Sequence, residues 1–208
     1  MGYSFGGLQA IWMALHYPNL FSFSAGLSPS FWVNEYEIFT DGERRKPGQS
    51  FWFDIGTAEW NYYVPFIEAL KKTGGKYGEN IFYSEIPNGA HNAYWWRKRV
   101  IYPIMIFAGA KNNDIKKLDV EIEIITGQSK SDVYYQRLNP VVTLNNGIQY
   151  SIASEAIYTV LNPEAGLVKS DGRFEFSGSE NLKIEVTYSG FRKLVNVKYK
   201  YVQAKKQS

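Results

Sequence analysis

Helix-like and strand-like segments alternate between residues 8 and 109, and this alternation constrains the fold more than any other feature of the chain. Apolar residues recur at helical spacing in some segments and form short continuous runs in others. The predicted order is a helix at 8–17, a strand at 21–27, a polar loop at 34–50, a strand at 50–56, a helix at 64–74, a strand at 80–87 and a helix at 93–109 that Pro103 kinks. Such alternation predicts a parallel α/β sheet.

After Lys111 the pattern changes to short segments that are rich in β-branched and aromatic residues. Turn signals such as Asn145-Asn146-Gly147 and Ser170-Asp171-Gly172 separate these segments. They predict six or seven strands, at 118–125, 140–144, 148–152, 156–161, 173–176, 182–190 and 193–202. That density of strands favours a β-sandwich. With the boundary in the polar stretch 110–117, the predicted domains are 1–112 and 113–208.

Composition excludes several classes of function. The net charge of about +3 is spread over both halves, so nucleic acid is not an expected partner. No apolar run is long enough to span a membrane. The chain contains no cysteine and only two histidines, His16 and His91, so we expect no disulfide, no catalytic thiol and no metal site. No organic cofactor is expected either, because the chemistry inferred below needs none.

Residues Gly2-Tyr3-Ser4-Phe5-Gly6 fit the pattern G-x-S-x-G. A serine on a tight strand-to-helix turn needs glycines on both sides, because side chains there would collide, and the helix that follows directs its positive end toward a developing oxyanion. The pattern alone also fits an ordinary glycine-rich turn. The additional Gly7 and the helix directly after it favour a nucleophile at Ser4.

His91 follows the strand at 80–87, where a loop histidine can take the proton of a nucleophile. An ordinary surface histidine is the alternative, and His16, inside a predicted helix, is interpreted as structural. A carboxylate should orient the imidazole, and both Asp54 and Glu59 qualify. Glu59 is favoured because it lies beyond the end of its strand, where sites of parallel sheets are built, whereas Asp54 lies within the strand.

The run GYSFGGLQAIWMALHYPNLFSFSAGLSPSFW resembles the nucleophile region of the putative-esterase family of α/β-hydrolases, which includes enterochelin esterases, S-formylglutathione hydrolases and feruloyl or acetyl-xylan esterases. The segments DIGTAEW and IPNGAHNAYWWRKRVIYPIMIF are similar to its acid-bearing and histidine-bearing segments, so the resemblance covers residues 1–109. It implies Ser4 as nucleophile, His91 as general base and acid, and Glu59 as orienting acid, although the family more often has aspartate there. It also implies Trp32 as a wall of the acyl pocket, with a core position as the alternative.

An α/β-hydrolase sheet has several strands before the nucleophile, and this sequence begins at the motif. We therefore expect the chain to be the C-terminal part of a longer enzyme, without the N-terminal strands and with doubtful activity as it stands. Of the two oxyanion donors in the family, the backbone N–H of Phe5 is the one that remains. The sequence has no signal peptide, which would lie in the absent part.

Residues 118–202 resemble a bacterial immunoglobulin-like domain, through the Asn-Pro turn, the Asp-Gly turn and the final Val-Thr-Tyr strand. Such modules are spacers or adhesive units, which implies a secreted, periplasmic or cell-surface protein with contact to a cell surface or polysaccharide through this domain.

The sequence as a whole predicts a serine esterase that acts on a small-molecule or carbohydrate-linked ester. Four aromatic residues, Trp32, Trp60, Tyr94 and Trp95, suit an open cleft, although core packing explains them equally. An acyltransferase would differ only in the acceptor that replaces water. The alternative class is a non-catalytic surface-binding protein, built on a degenerate hydrolase and an immunoglobulin-like module.

Overall fold

The computed structural model describes residues 1–59, 63–109, 114–125 and 135–199. Two compact units divide the chain. The first contains residues 1–114 and 144–150, and the second contains residues 115–143 and 151–208. Among the described residues, no helix is both long and apolar enough to cross a lipid bilayer.

A four-stranded parallel sheet forms the centre of the first unit. Its order is β1-β2-β3-β4, with strands β1 (Gly2–Tyr3), β2 (Phe23–Leu27), β3 (Ser50–Gly56) and β4 (Ile81–Ile86). The register places Tyr3 beside Leu27 and Leu27 beside Asp54, so the carboxyl ends of three strands meet at one edge. The strands predicted from the apolar runs are therefore present and parallel, and their ends bring distant parts of the chain together.

Helices cover both faces of this sheet. They are α1 (Phe5–His16), α2 (Glu37–Asp41), α3 (Val64–Lys72), α4 (Ala93–Arg99) and α5 (Ile101–Phe107). Alternate residues of β3 point to opposite faces. Phe53 packs on Phe66 of α3 with ring centroids 5.1 Å apart, whereas Trp52 faces Tyr102 of α5 at 5.9 Å. A cluster of buried apolar residues lies on the α1 and α3 face, and it includes Ile11, Phe66 and Leu70.

The predicted polar loop at 34–50 is wrong, because this segment contains α2 and two 3-10 turns, Val33–Tyr36 and Gly42–Arg44. Its composition is polar, yet several of its polar groups are buried and paired. The side-chain amide of Gln49 donates to the carbonyl of Ala14 at 2.7 Å and to that of Phe21 at 2.8 Å. The carbonyl of Ala14 lies in the last turn of α1, where it has no partner within the helix.

The long helix predicted at 93–109 is two helices, which meet at Val100. Pro103 has no N–H to donate to the carbonyl of Arg99, four residues earlier, and its ring crowds that carbonyl. The break therefore lies one turn before the proline.

The remaining strands are β5 (Ile115–Ile125), β6 (Tyr135–Leu144), β7 (Gln149–Ser151), β8 (Ile157–Val160), β9 (Gly166–Val168), β10 (Arg173–Phe176), β11 (Leu182–Tyr188) and β12 (Phe191–Val197). They belong mainly to the second unit, except β7, of which Gln149 and Tyr150 belong to the first. The pairs β6–β10, β9–β10, β11–β12 and β8–β11 are antiparallel. One sheet follows the order β5-β6-β10-β9 and another the order β12-β11-β8. The sequence did not predict β9, a three-residue strand that starts at Gly166, where a Cβ would lie 2.2 Å from the carbonyl oxygen of Glu175.

Candidate active site

Ser4 occupies a strained turn between β1 and α1. Its backbone has φ 54° and ψ −126°, a conformation that costs of order 1–3 kcal/mol for a residue with a side chain. Hydrogen bonds hold the turn in place, because the Ser4 N–H donates to the carbonyl of Leu27 at 3.0 Å. The Ser4 carbonyl accepts from the N–H groups of Gly7, Leu8 and Ser30 at 3.1 to 3.2 Å. The turn thus presents the Ser4 hydroxyl at the carboxyl edge of the sheet.

The glycines around Ser4 have different functions. A Cβ on Gly2 would lie 2.4 Å from the carbonyl oxygen of Gly6, so only glycine fits there. A Cβ on Gly7 would come within 3.1 to 3.2 Å of Gly2, Gly26 and Pro29, which shows how closely α1 lies against the sheet. At Gly6, no atom outside its chain neighbours and the backbone of its own helix lies within 4 Å of an added Cβ. The described structure therefore shows a collision with the surroundings at Gly2 and none at Gly6.

His91 and Glu59 extend the site from Ser4. The Nε2 atom of His91 lies 2.8 Å from Ser4 Oγ, across 87 residues of sequence. The Nδ1 atom of the same ring lies 2.6 Å from Glu59 Oε2. Glu59 follows β3 in a turn and is buried, whereas the side chain of His91 is 45% exposed. One imidazole therefore connects an accessible hydroxyl to a buried carboxylate.

The hydrogen bonds determine which nitrogen of neutral His91 carries the proton. An ionised carboxylate can only accept, so the contact with Glu59 requires a proton on Nδ1. Nε2 is then unprotonated and accepts from the Ser4 hydroxyl. In this state the ring can take the proton of Ser4 while Glu59 stabilises the positive charge that results. This arrangement is the one that nucleophilic serine catalysis requires.

Asp54, the alternative acid, lies elsewhere. It is fully buried in β3, where its Oδ2 accepts from the indole N–H of Trp52 at 3.0 Å and its Oδ1 from the Ser28 N–H at 3.1 Å. Arg99 approaches the same Oδ1 to 2.8 Å through Nε. Burial raises the pKa of Asp54 to about 6, although the positive charge of Arg99 opposes that rise. The carboxylate that faces His91 is that of Glu59.

The first turn of α1 borders the Ser4 hydroxyl. The Phe5 N–H is one of the first helical N–H groups, which have no acceptor within the helix, and the helix dipole gives this end positive potential. Among the described residues, no acceptor is bonded to it. A developing oxyanion at Ser4 would therefore find a donor in Phe5.

Aromatic rings flank Ser4 on both sides in the sequence and in space. Tyr3 and Phe5 are each more than half exposed. The ring of Tyr3 stacks on Trp96 with centroids 4.4 Å apart, and Phe5 meets the edge of Trp32 at 5.8 Å. Trp32 is 43% exposed, so it is not a core residue in this structure. Tyr94 is also half exposed, and Trp60 lies outside the described residues.

Sequence reasoning missed three residues that contact Glu59 or its partners, namely Ser28, Trp96 and Arg99. The Ser28 hydroxyl donates to Glu59 Oε1 at 2.7 Å and accepts from Trp96 Nε1 at 3.1 Å. Arg99 also donates to this hydroxyl. A signal existed in the sequence, because residues three apart share one face of a helix, and Trp96 and Arg99 have that spacing.

His16 has a structural environment. Its Nε2 lies 3.0 Å from Asp41 Oδ2, and its ring stacks on Trp12 with centroids 4.1 Å apart. Across the described parts of the chain, no three His, Cys, Asp or Glu side chains are grouped so as to hold a metal ion.

Comparison with known proteins finds one family for part of the chain. Residues 1–85 match the model of a family described as "Putative esterase". The match includes Ser4 and Glu59 and ends before His91. No curated protein matches the chain. The N-terminal part of the first unit, from the strained serine turn into β4, is thus similar to esterases of this family.

Proposed function

We propose that this protein is a serine esterase that hydrolyses carboxylic esters through an acyl-enzyme. The observation that carries the proposal is the hydrogen-bonded chain from Ser4 through His91 to Glu59, with separations of 2.8 and 2.6 Å. The family match over residues 1–85 supports hydrolase activity independently of this geometry.

Ser4 Oγ attacks the ester carbonyl while His91 Nε2 takes the hydroxyl proton. The negative charge that develops on the carbonyl oxygen meets the Phe5 N–H at the start of α1. His91 then gives its proton to the alcohol oxygen, and the carbon–oxygen bond of the ester breaks to leave an acyl-serine. A water molecule, deprotonated by His91, attacks this acyl group and releases the carboxylic acid, which restores the Ser4 hydroxyl.

The substrate proposed is a small-molecule or carbohydrate-linked ester. The exposed rings of Tyr3, Phe5 and Trp32 support this choice, because they offer apolar surface on both sides of Ser4. Transfer of the acyl group to an alcohol in place of water would need no other residue. Nothing in the described residues favours the alternative of a non-catalytic surface-binding protein.

The fold proposed for the first unit is that of an α/β-hydrolase, supported by its parallel sheet and by the helices on both faces. For the second unit we propose an immunoglobulin-like sandwich in a secreted, periplasmic or cell-surface protein. Its antiparallel strand pairs are compatible with that architecture.

Covalent labelling with a fluorophosphonate tests the proposed function, because this probe reacts with a serine that a base has activated. We expect labelling of the wild-type chain and none of Ser4→Ala or His91→Ala. Ser189→Ala is the matched control, since Ser189 also has a positive φ, of 48°, and lies in the second unit. A folded wild-type chain that does not react, or labelling that survives Ser4→Ala, would contradict the proposal.

A further inference from the structure

The two oxygens of Glu59 have different partners. Oε2 faces His91, whereas Oε1 accepts from the Gly56 N–H at 3.0 Å and from the Ser28 hydroxyl at 2.7 Å. Arg99 Nη2 is 3.8 Å from the same Oε1, so a positive charge also lies on this side. The orientation of the carboxylate therefore depends on what holds Oε1.

The direction of the Ser28 hydroxyl is fixed by donors that cannot accept. An indole N–H and a guanidinium N–H only donate, and both Trp96 and Arg99 direct one at Ser28 Oγ. A hydroxyl oxygen has two lone pairs and one proton. Because the two lone pairs are occupied, the proton is directed to Glu59 Oε1, and Ser28 cannot turn round to accept from another group.

The backbone of Ser28 is itself held in place. Its φ is 45°, which a residue other than glycine adopts at a cost, and its N–H donates to the carbonyl oxygen of Asp54 at 2.9 Å as well as to Oδ1. Arg99 joins the two ends of this arrangement, because it also contacts Asp54 Oδ1. Ser28, Asp54 and Arg99 are each at most 2% exposed, so no solvent competes for these bonds.

We propose that Ser28 is a positioning residue, whose hydroxyl is committed as a donor by Trp96 and Arg99 and holds Glu59 with Oε2 toward His91. This inference rests on the proposed function in one respect: the orientation of the Glu59 carboxylate serves catalysis only in a serine esterase. The chain of bonds connects α4 to the carboxylate, so the fold fixes the tautomer of His91 through a residue that does not touch the ring. Without the Ser28 hydroxyl, only the Gly56 N–H and the more distant Arg99 act on Oε1. The plane of the Glu59 carboxylate can then turn so that neither oxygen points at Nδ1, and the ring loses its preference for a proton on that nitrogen.

The test compares Ser28→Ala with Ser28→Gly. Both delete the hydroxyl, but glycine adopts φ 45° without strain whereas alanine does not, so the glycine variant keeps the turn stable. Ser189→Gly is the control, because it makes the same change at a serine with φ 48° in the second unit. Thermal unfolding of all three variants establishes that each is folded.

The readout is the nitrogen shifts of the histidine rings, detected by NMR through the ring C–H protons, which report the nitrogen that carries the proton. His16 and His91 are the only histidines, so a His91→Ala spectrum assigns both, and the unchanged His16 signals show that the first unit is intact. We expect neutral His91 to carry its proton on Nδ1 in wild type and Ser189→Gly. In both Ser28 variants we expect a mixture of tautomers, together with a fall of about 10- to 100-fold in the labelling rate.

An unchanged His91 tautomer in Ser28→Gly would overturn the inference, and so would a wild-type ring whose proton lies on Nε2. The NMR result and the labelling result test the positioning role and the esterase function separately. If the wild type fails to react with fluorophosphonate while the tautomer still depends on Ser28, the positioning role stands and the esterase function is refuted.

Discussion

Replacement of Glu59 by glutamine is expected to reverse the protonation of His91. The amide of the glutamine has one oxygen that accepts and one nitrogen that only donates. Gly56 and Ser28 both donate to the Oε1 position, so the amide oxygen is expected to occupy it and the NH₂ group to face His91 Nδ1. A donor at that point requires an unprotonated Nδ1, which moves the proton of the neutral ring to Nε2. His91 can then no longer accept the proton of Ser4.

The size of the effect follows from the change of tautomer. In a serine protease triad the corresponding carboxylate-to-amide replacement lowers kcat by about 10⁴-fold, equivalent to about 5 kcal/mol of transition-state stabilisation. We expect a loss of about 10³- to 10⁴-fold for Glu59→Gln, with little change in the melting temperature. The assay is the rate of fluorophosphonate labelling, followed by kcat on any ester that the wild type hydrolyses.

Asp54→Asn is the matched comparison, because Asp54 is the other carboxylate of this segment and has no contact with His91 in the described structure. We expect its labelling rate to stay within about tenfold of the wild type, because the asparagine oxygen can still accept from the Ser28 N–H and the Ser28 hydroxyl keeps its bond to Glu59. If Asp54→Asn lost as much activity as Glu59→Gln, or if Glu59→Gln labelled at the wild-type rate, the assignment of Glu59 as the orienting acid would be refuted.

Three further predictions concern stability. Burial raises the pKa of Asp54 to about 6, so the folded chain binds the proton of this carboxyl more tightly than the unfolded chain does. The protonated carboxyl therefore adds to the free energy of unfolding below about pH 4, and this stabilisation is lost as the pH rises through about 6. Asparagine does not titrate, so the free energy of unfolding of Asp54→Asn, measured in urea, should rise by about 3 kcal/mol relative to that of the wild type between pH 4 and neutral pH. A difference between the two proteins that does not vary with pH would count against the raised pKa. Gly2→Ala should prevent assembly of the serine turn, because its methyl group would collide with the Gly6 carbonyl. Gly6→Ala should unfold at the wild-type temperature or slightly above, because its methyl group meets no atom outside its chain neighbours and its own helix, and circular dichroism melts compare the two variants directly. Gln49→Ala should cost about 2 to 4 kcal/mol in chemical denaturation by leaving two carbonyls without their amide donor, and exposed Gln9→Ala, which should change little, is its control.

The positions of the strands and helices in the first unit could be predicted because they depend on short-range periodicity. The strand at Ser50–Gly56 begins and ends where the apolar run does, and Pro18 ends α1 as expected. Segment 34–50 could not be predicted in this way. Its polar side chains are satisfied by groups far away in the sequence, such as the carbonyl of Ala14, 35 residues from Gln49. Composition records that a residue is polar but not whether a distant partner allows its burial.

The sequence by itself determined the candidates: a serine in a glycine-flanked turn before a helix, a histidine after a later strand, and two carboxylates, one within the strand between them and one after it. The tertiary structure alone decided their geometry. Parallel strands end at one edge, which brings Ser4 Oγ to within 2.8 Å of His91 Nε2. Only there does Glu59 face His91 while Asp54 pairs with Arg99. The physical reason is that hydrogen bonds act over about 3 Å and depend on direction, so the proton carried by each group is set by neighbours that the linear order does not reveal.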